Sequence, residues 1–247
     1  MNNPVAGLTY FLKGLSIVFS PGIKRYLIIP LTINTLLFIA AIWLGFSYIG
    51  QWIDMLIPAL PEWLAFLDWL ISGLLYVLFG LICILLVFFT FSMLANVVAA
   101  PFNDLLCTAV AKKIGGENIF PNAEHQSFVQ SIVPSVMHEI RKLGYFVAWS
   151  IPFVILLIIP GINIIGAVLW FLFTAWMLNY EYMEYPMSQA NLDFQQQKAQ
   201  LKSQKFLSLS FGSIISAATM IPFVNFLVMP VAVAGATALW IELSRRN

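Results

Sequence analysis

The chain of 247 residues is 61% hydrophobic and only 9% charged, with a mean hydropathy of +0.89, whereas soluble domains carry about 25% charge; it reads as an integral membrane protein. A net charge of +1 argues against nucleic acid or an acidic macromolecule as partner, since both call for a strong basic excess. Cys83 and Cys107 stand in and just past an apolar run with no C-x-x-C spacing, so they read as small buried hydrophobes and not as a disulfide framework or a metal site.

Residues 1–19 lack the charged start of a signal peptide, and their one charge, Lys13, falls inside the apolar part. The expectation is an interfacial helix lying in the headgroup region. Ser20-Pro21-Gly22-Ile23-Lys24-Arg25 follows, directly ahead of an uncharged run from Tyr26 to Ile53. Ser20 is a good N-cap, Pro21 suits the first helical position, and Gly22 lets a ligand approach the backbone. A helix start has unpaired N–H groups and the positive end of the macrodipole, and Lys24 and Arg25 add two full charges there. Two readings stand: a cytoplasmic anchor of the positive-inside kind, or a site for an anion.

The expected long transmembrane helices are 20–53 and 69–103, with Pro30 bending the entry of the first and Pro101 closing the second. Between them the loop 54–68 holds Asp54, Glu62 and Asp68, no base, and the flanking Trp52, Trp63 and Trp69, which places it outside. Residues 104–142 balance acids and bases. Asn103-Asp104 predicts a helix start, Gly115-Gly116 its stop, and Ser127 the start of a second amphipathic helix carrying Phe128, Ile132, Val136, Ile140 and Leu143 on one face.

If every segment that carries bases is cytoplasmic, the uncharged runs 143–180 and 206–241 must enter and leave on one side. Each is too long for a single crossing, at roughly 55 Å as one helix against roughly 30 Å of hydrocarbon. Pro160-Gly161 and Pro230 lie near their middles, so both are expected to be Pro-broken helical hairpins, re-entrant or short, separated by the cytoplasmic segment 181–205. They also repeat at an offset of 70: Ile151-Pro152-Phe153-Val154 with Ile221-Pro222-Phe223-Val224, Pro160 with Pro230, and Trp170 with Trp240. The fold class is thus an all-α membrane protein in one polytopic domain, 1–247: two long transmembrane helices, two hairpins and cytoplasmic amphipathic helices.

No Asp, Glu, Lys, Arg or His falls within the four apolar runs, which weakens the case for a carrier driven by protons through a buried carboxylate. Amides and hydroxyls at membrane depth, among them Thr35, Asn34, Asn163, Asn179 and Asn225, serve either interhelical hydrogen bonding or a water-lined anion path. His125 and His138 stand alone, and His138-Glu139-Ile140-Arg141-Lys142 is not the zinc pattern H-E-x-x-H. No phosphate loop or acid, base and nucleophile constellation is present, so the sequence offers no enzyme and no cofactor. Asp104, Glu139, Arg141, Glu181 and Glu184 all lie where apolar runs meet the cytoplasm and are expected to form a polar network tying the long helices to the hairpins.

The opening Gly7-Leu8-Thr9-Tyr10-Phe11-Leu12-Lys13-Gly14, the Pro21-Gly22-Ile23-Lys24-Arg25-Tyr26 turn, Pro30-Leu31-Thr32-Ile33-Asn34 and Pro101-Phe102-Asn103-Asp104-Leu105-Leu106 together resemble the CysZ sulfate permeases of bacteria, over essentially the whole chain. The resemblance implies a multi-pass protein of the inner membrane, assembled as a homo-oligomer, that admits sulfate for cysteine biosynthesis without an ATPase subunit. It implies sulfate binding at a Gly-Leu-Arg turn, matched here by Gly22-Ile23-Lys24 and followed by Arg25. Lysine keeps the charge of the arginine position but not its planar fork, which Arg25 is placed to supply. Sulfate, the lipid bilayer and further copies of the chain are then the expected partners. A different class of function stays open beside it: a non-transporting membrane protein that docks a cytosolic partner on the helices Asn103–Ile114 and Ser127–Lys142.

Overall fold

The computed structural model describes residues 5–56, 68–120, 128–221 and 224–245. Among them there is no strand, and the helices are α1 (Ala6–Val18), α2 (Arg25–Leu56), α3 (Asp68–Lys113), α4 (Phe128–Ile158), α5 (Asn163–Gln189), α6 (Phe194–Ser203), α7 (Lys205–Thr219) and α8 (Asn225–Ser244), with a 3-10 turn at Glu117–Ile119. Among the described residues four stretches are long and apolar enough to cross a membrane: Arg25–Leu44, Ile140–Ile158, Asn163–Gln189 and Asn225–Ser244. The chain divides into two compact units, Ile28–Phe102 and the remainder, Met1–Leu27 with Asn103–Asn247.

The smaller unit is built from α2 and α3. Ile28, Ile29, Leu36, Ile39, Trp43, Leu74, Val77 and Leu81 are all exposed on it, which is tolerable only where the surroundings are lipid or another apolar surface. Pro30 sits inside α2 without ending it. α3, at 46 residues roughly 69 Å long, runs straight through Pro101 and the Asn103-Asp104 pair. The expected helix start at Asn103 is therefore a mid-helix position. Its amide instead donates to the Tyr185 hydroxyl at 3.2 Å, so the residue is spent on tertiary contact and not on capping. The glycine stop holds: Gly115 has φ +70 and the Gly116 N–H reaches back to the Ala111 carbonyl at 2.8 Å, a Schellman closure.

The larger unit is organised around α8, whose side chains from Pro230 to Ile241 are all buried. α1, α5 and α7 pack around it, which is why this helix is apolar on every face. Small residues allow the approach. A Cβ on Gly14 would overlap the Val231 carbonyl and lie 2.6 Å from the Gly235 nitrogen, and one on Gly235 would lie 2.7 Å from the Tyr10 carbonyl. At the α5–α7 crossing a Cβ on Gly212 would overlap Ala175. α4 and α5 meet at the turn 159–162, where Gly161 has φ +90; Phe173 stacks on Phe146 and Phe153 across this pair, with ring centres 5.5 and 5.0 Å apart. α6 is held by Gln197, which accepts from the Tyr180 hydroxyl at 3.0 Å and donates to the Leu192 carbonyl at 3.0 Å.

Three expected boundaries move. The second apolar run does not break at Pro230: α7 ends at Thr219 and α8 starts at Asn225, with Pro230 in the second turn of α8. Proline so near a helix start loses a single backbone bond, and the tight packing on both sides holds the helix together. The offset-70 repeat is accordingly one of sequence only, since Ile151 to Val154 lies inside α4 while Val224 directly precedes α8. α4 also continues through Lys142-Leu143, and α5 continues past Tyr180 to Gln189, so the segments expected as separate cytoplasmic helices are extensions of the apolar ones.

If the backbone contacts at the glycines hold the larger unit together, Gly14→Ala and Gly212→Ala each lose about 1–3 kcal/mol of stability through overpacking. Gly144→Ala, at a helical glycine with open space around it, should match or slightly exceed the parent. Thermal unfolding in detergent reads all three, and equal midpoints for Gly14→Ala and Gly144→Ala would contradict the packing described.

Candidate functional site

The turn between α1 and α2 belongs wholly to the larger unit. Its chemistry follows from how the backbone is spent. Ser20 does not cap α2: its hydroxyl donates to the Ile17 carbonyl at 2.5 Å and its N–H to the same oxygen at 3.0 Å, so it closes α1. The Ser20 carbonyl then accepts from Ile23 N–H at 3.2 Å and Lys24 N–H at 3.3 Å. The helix proper begins at Arg25, four residues later than the Pro21 start expected from the sequence, because residues 21–24 first form a turn closed on the Ser20 carbonyl. Gly22 makes that possible with φ +85 and nothing within 4 Å of where a Cβ would sit.

Ile23 is only 4% exposed and Leu27 is buried beside it, so their side chains pin the turn to the core. Ile23 thus offers a ligand only its backbone, while Gly22, Lys24 and Arg25 are exposed. The Gly22 and Arg25 N–H groups have no acceptor among the described residues. A left-handed residue followed by amides free at a helix start is an arrangement that can receive an anion. Arg25 lies over the Tyr26 ring, 4.9 Å from its centre, and donates one N–H to the Tyr26 hydroxyl at 3.0 Å; its remaining donors and the whole Lys24 ammonium are unengaged among the described residues. Reading the sequence did not single out a third cation here. Lys113, in the last turn of α3, donates from Nζ to the Pro21 carbonyl at 2.9 Å. The two residues lie 92 positions apart, and no local pattern signals such a contact.

The residues expected in a polar network are only partly brought together. Glu181 and Glu184, one turn apart on α5, both bind a lysine: Lys142 Nζ is 2.9 Å from Glu181 Oε2 and 2.8 Å from Glu184 Oε2. Lys142 is 7% exposed. Arg141 is exposed with no ion pair among the described residues, since one residue along a helix turns a side chain by about 100°. Asp104 is exposed and contributes its carbonyl, which accepts Gln189 Nε2 at 2.9 Å. The side chains of Glu139 and His138, and all of His125, lie outside the described residues, as does the side chain of Cys83. Cys107 is fully buried beneath the Thr237 hydroxyl. Asn179, 1% exposed, makes no hydrogen bond through its amide, and Thr35 bonds back to the Leu31 carbonyl of its own helix. No group of three His, Cys, Asp or Glu able to hold a metal is found among the described residues.

Lys142→Met leaves two carboxylates facing each other without their cation and should cost about 2 kcal/mol, below the roughly 3–5 kcal/mol of a fully buried pair because the Glu181 side chain is 41% exposed. Adding Glu184→Gln should recover part of the loss. Unfolding midpoints of the parent, the single and the double variant check this; no recovery in the double variant would contradict it.

With the turn in hand, comparison with known proteins places the chain. A family model described as Sulfate transporter CysZ/Etoposide-induced protein 2.4 matches residues 10–230. A protein of Pseudomonas fluorescens named Sulfate transporter CysZ is 42% identical over 96% of this chain and 94% of its own length. Proteins of the same name from Salmonella typhimurium and Pectobacterium atrosepticum are 39% and 37% identical, over 98% and 97% of this chain and 94% and 86% of theirs. The chain belongs to the family of Sulfate transporter CysZ and Etoposide-induced protein 2.4.

Proposed function

We propose that this chain is a sulfate permease of the bacterial inner membrane, a transport protein and not an enzyme, that captures its anion at Gly22, Ile23, Lys24 and Arg25. The observation that carries the reading is the agreement of two independent facts. Relatives named sulfate transporters match almost the full chain, and the exposed surface of the α1–α2 turn carries free amides and two cations. Sulfate is a dianion at physiological pH, and backbone N–H groups at a helix start with two charged donors suit it. Arg25 supplies the planar donor and Lys24 the point charge, in the arrangement expected where lysine replaces arginine.

Capture at an exposed turn is weak enough to release the ion onward, which conduction requires. Delivery of sulfate to cysteine biosynthesis and channel-like passage follow from the same reading. The α4–α5 and α7–α8 pairs act as hairpins; α7, at 15 residues roughly 22 Å long, is shorter than the hydrocarbon thickness, as a re-entrant arm would be. Exposed apolar side chains of α4 and α5, such as Val147, Ile151, Ile158, Ile164 and Val168, suit lipid and contacts between copies in a homo-oligomer. The docking alternative loses half its surface, because Leu106, Cys107, Val110 and Ala111 of Asn103–Ile114 are buried within the chain itself.

Uptake of radiolabelled sulfate into proteoliposomes tests the proposal, with Lys24→Ala/Arg25→Ala as the comparison and unlabelled phosphate and sulfite as competitors. The expected result is protein-dependent uptake whose apparent affinity falls at least about tenfold in the double variant, the loss of one or two charge-assisted hydrogen bonds. Uptake unaffected by the double substitution would move the capture site elsewhere, and no protein-dependent uptake would remove the transport reading.

A further inference from the structure

We infer that Lys113 is a positioning residue of the sulfate turn and its third cation, an inference that rests on the capture site just proposed. Three observations lead to it. First, the Lys113 ammonium is 2.9 Å from the Pro21 carbonyl, one residue before Gly22. The Pro21 carbonyl and the Gly22 N–H belong to one trans peptide and point opposite ways, so an ammonium seated on the carbonyl holds that peptide in place, polarises its N–H toward an anion on the other side, and adds a positive charge behind it. Second, Lys113 is the last residue of α3, and a helix end presents partial negative charge on its final carbonyls. The Val110, Ala111 and Lys112 carbonyls accept backbone N–H groups from the residues that follow, and Arg245 covers the two carbonyls just past the helix end, donating from Nη2 to Ile114 at 3.2 Å and to Gly115 at 2.5 Å. The end of α3 therefore meets the turn as a net cation and not as a repelling dipole. Third, Lys113 is exposed and has no carboxylate partner among the described residues, so its charge is not already compensated.

The cluster thus draws on the start of α2, the end of α3 and the end of α8, and Lys113 acts in two ways that can be separated. As a prop it needs only a donor of similar reach; as a cation it needs charge. Lys113→Gln keeps a donor and removes the charge, while Lys113→Arg keeps both. Binding of radiolabelled sulfate to the purified full-length protein in detergent is measured at low and high potassium chloride for the parent, Lys113→Gln, Lys113→Arg and Lys24→Ala/Arg25→Ala, with unfolding midpoints in the absence of sulfate alongside.

The expected result is affinity about three- to tenfold weaker in Lys113→Gln at low salt, a gap that narrows as salt screens it, recovery in Lys113→Arg, and an unchanged unfolding midpoint. Parent affinity in Lys113→Gln, beside lost binding in Lys24→Ala/Arg25→Ala, overturns the role of Lys113 alone. Equal binding by the parent and Lys24→Ala/Arg25→Ala overturns the capture site and this inference with it. Weakening shared by Lys113→Gln and Lys113→Arg, together with a lowered midpoint, makes Lys113 a structural prop and also overturns it.

Discussion

The larger unit depends on the close approach of α1 to α8. Gly14 and Gly235 bring the two backbones into contact where no Cβ can intervene, and the small residues Ala232, Ala234, Ala236 and Ala238 keep α8 thin enough to be surrounded. In lipid, where apolar side chains gain little by leaving their solvent, such packing is a main source of cohesion between helices. Once α1 is fixed, its end at Val18 fixes Ser20, and Ile23 and Leu27 enter the same core. The proposed capture turn is therefore held by a well-packed helix pair and not by a loose loop, which is the condition for preorganised binding.

The charges follow the same logic. Within the apolar body the one buried ammonium, among the described residues, is matched by Glu181 and Glu184, so that it stabilises the α4–α5 pair without leaving a net positive centre. At the turn the cations are left without carboxylates among the described residues. A protein that satisfied Lys24 with a glutamate would compete with the anion for its own site. The contrast between a neutralised interior lysine and surface cations without carboxylates separates a structural ion cluster from the capture site proposed for the turn.

Much of this was legible from residue types alone. Composition gives the membrane class, Pro160-Gly161 marks a helix break, Gly115-Gly116 ends α3, and Gly22 with its neighbouring bases marks the turn. What was not legible depends on tertiary context. A proline near the start of a helix costs little, so Pro230 looked like a break and is not one. An all-apolar segment reads the same whether it faces lipid or protein, so nothing in residues 225–244 announced that α8 is the centre of the bundle. Whether Arg141 or Lys142 turns inward is a matter of 100° of helix rotation, and the contact of Lys113 with Pro21 joins residues too far apart for any window of sequence to see.

The capture site can be tested at the level of single amides by hydrogen exchange on the full-length protein in detergent, with sulfate added at constant ionic strength against a chloride control. If the dianion sits in the α1–α2 turn, the Gly22 to Arg25 amides slow selectively with sulfate, Gly22 and Arg25 most, since their N–H groups have no acceptor among the described residues. Sulfate-dependent protection confined to other parts of the chain, with this turn exchanging as fast as in chloride, would contradict capture at the turn.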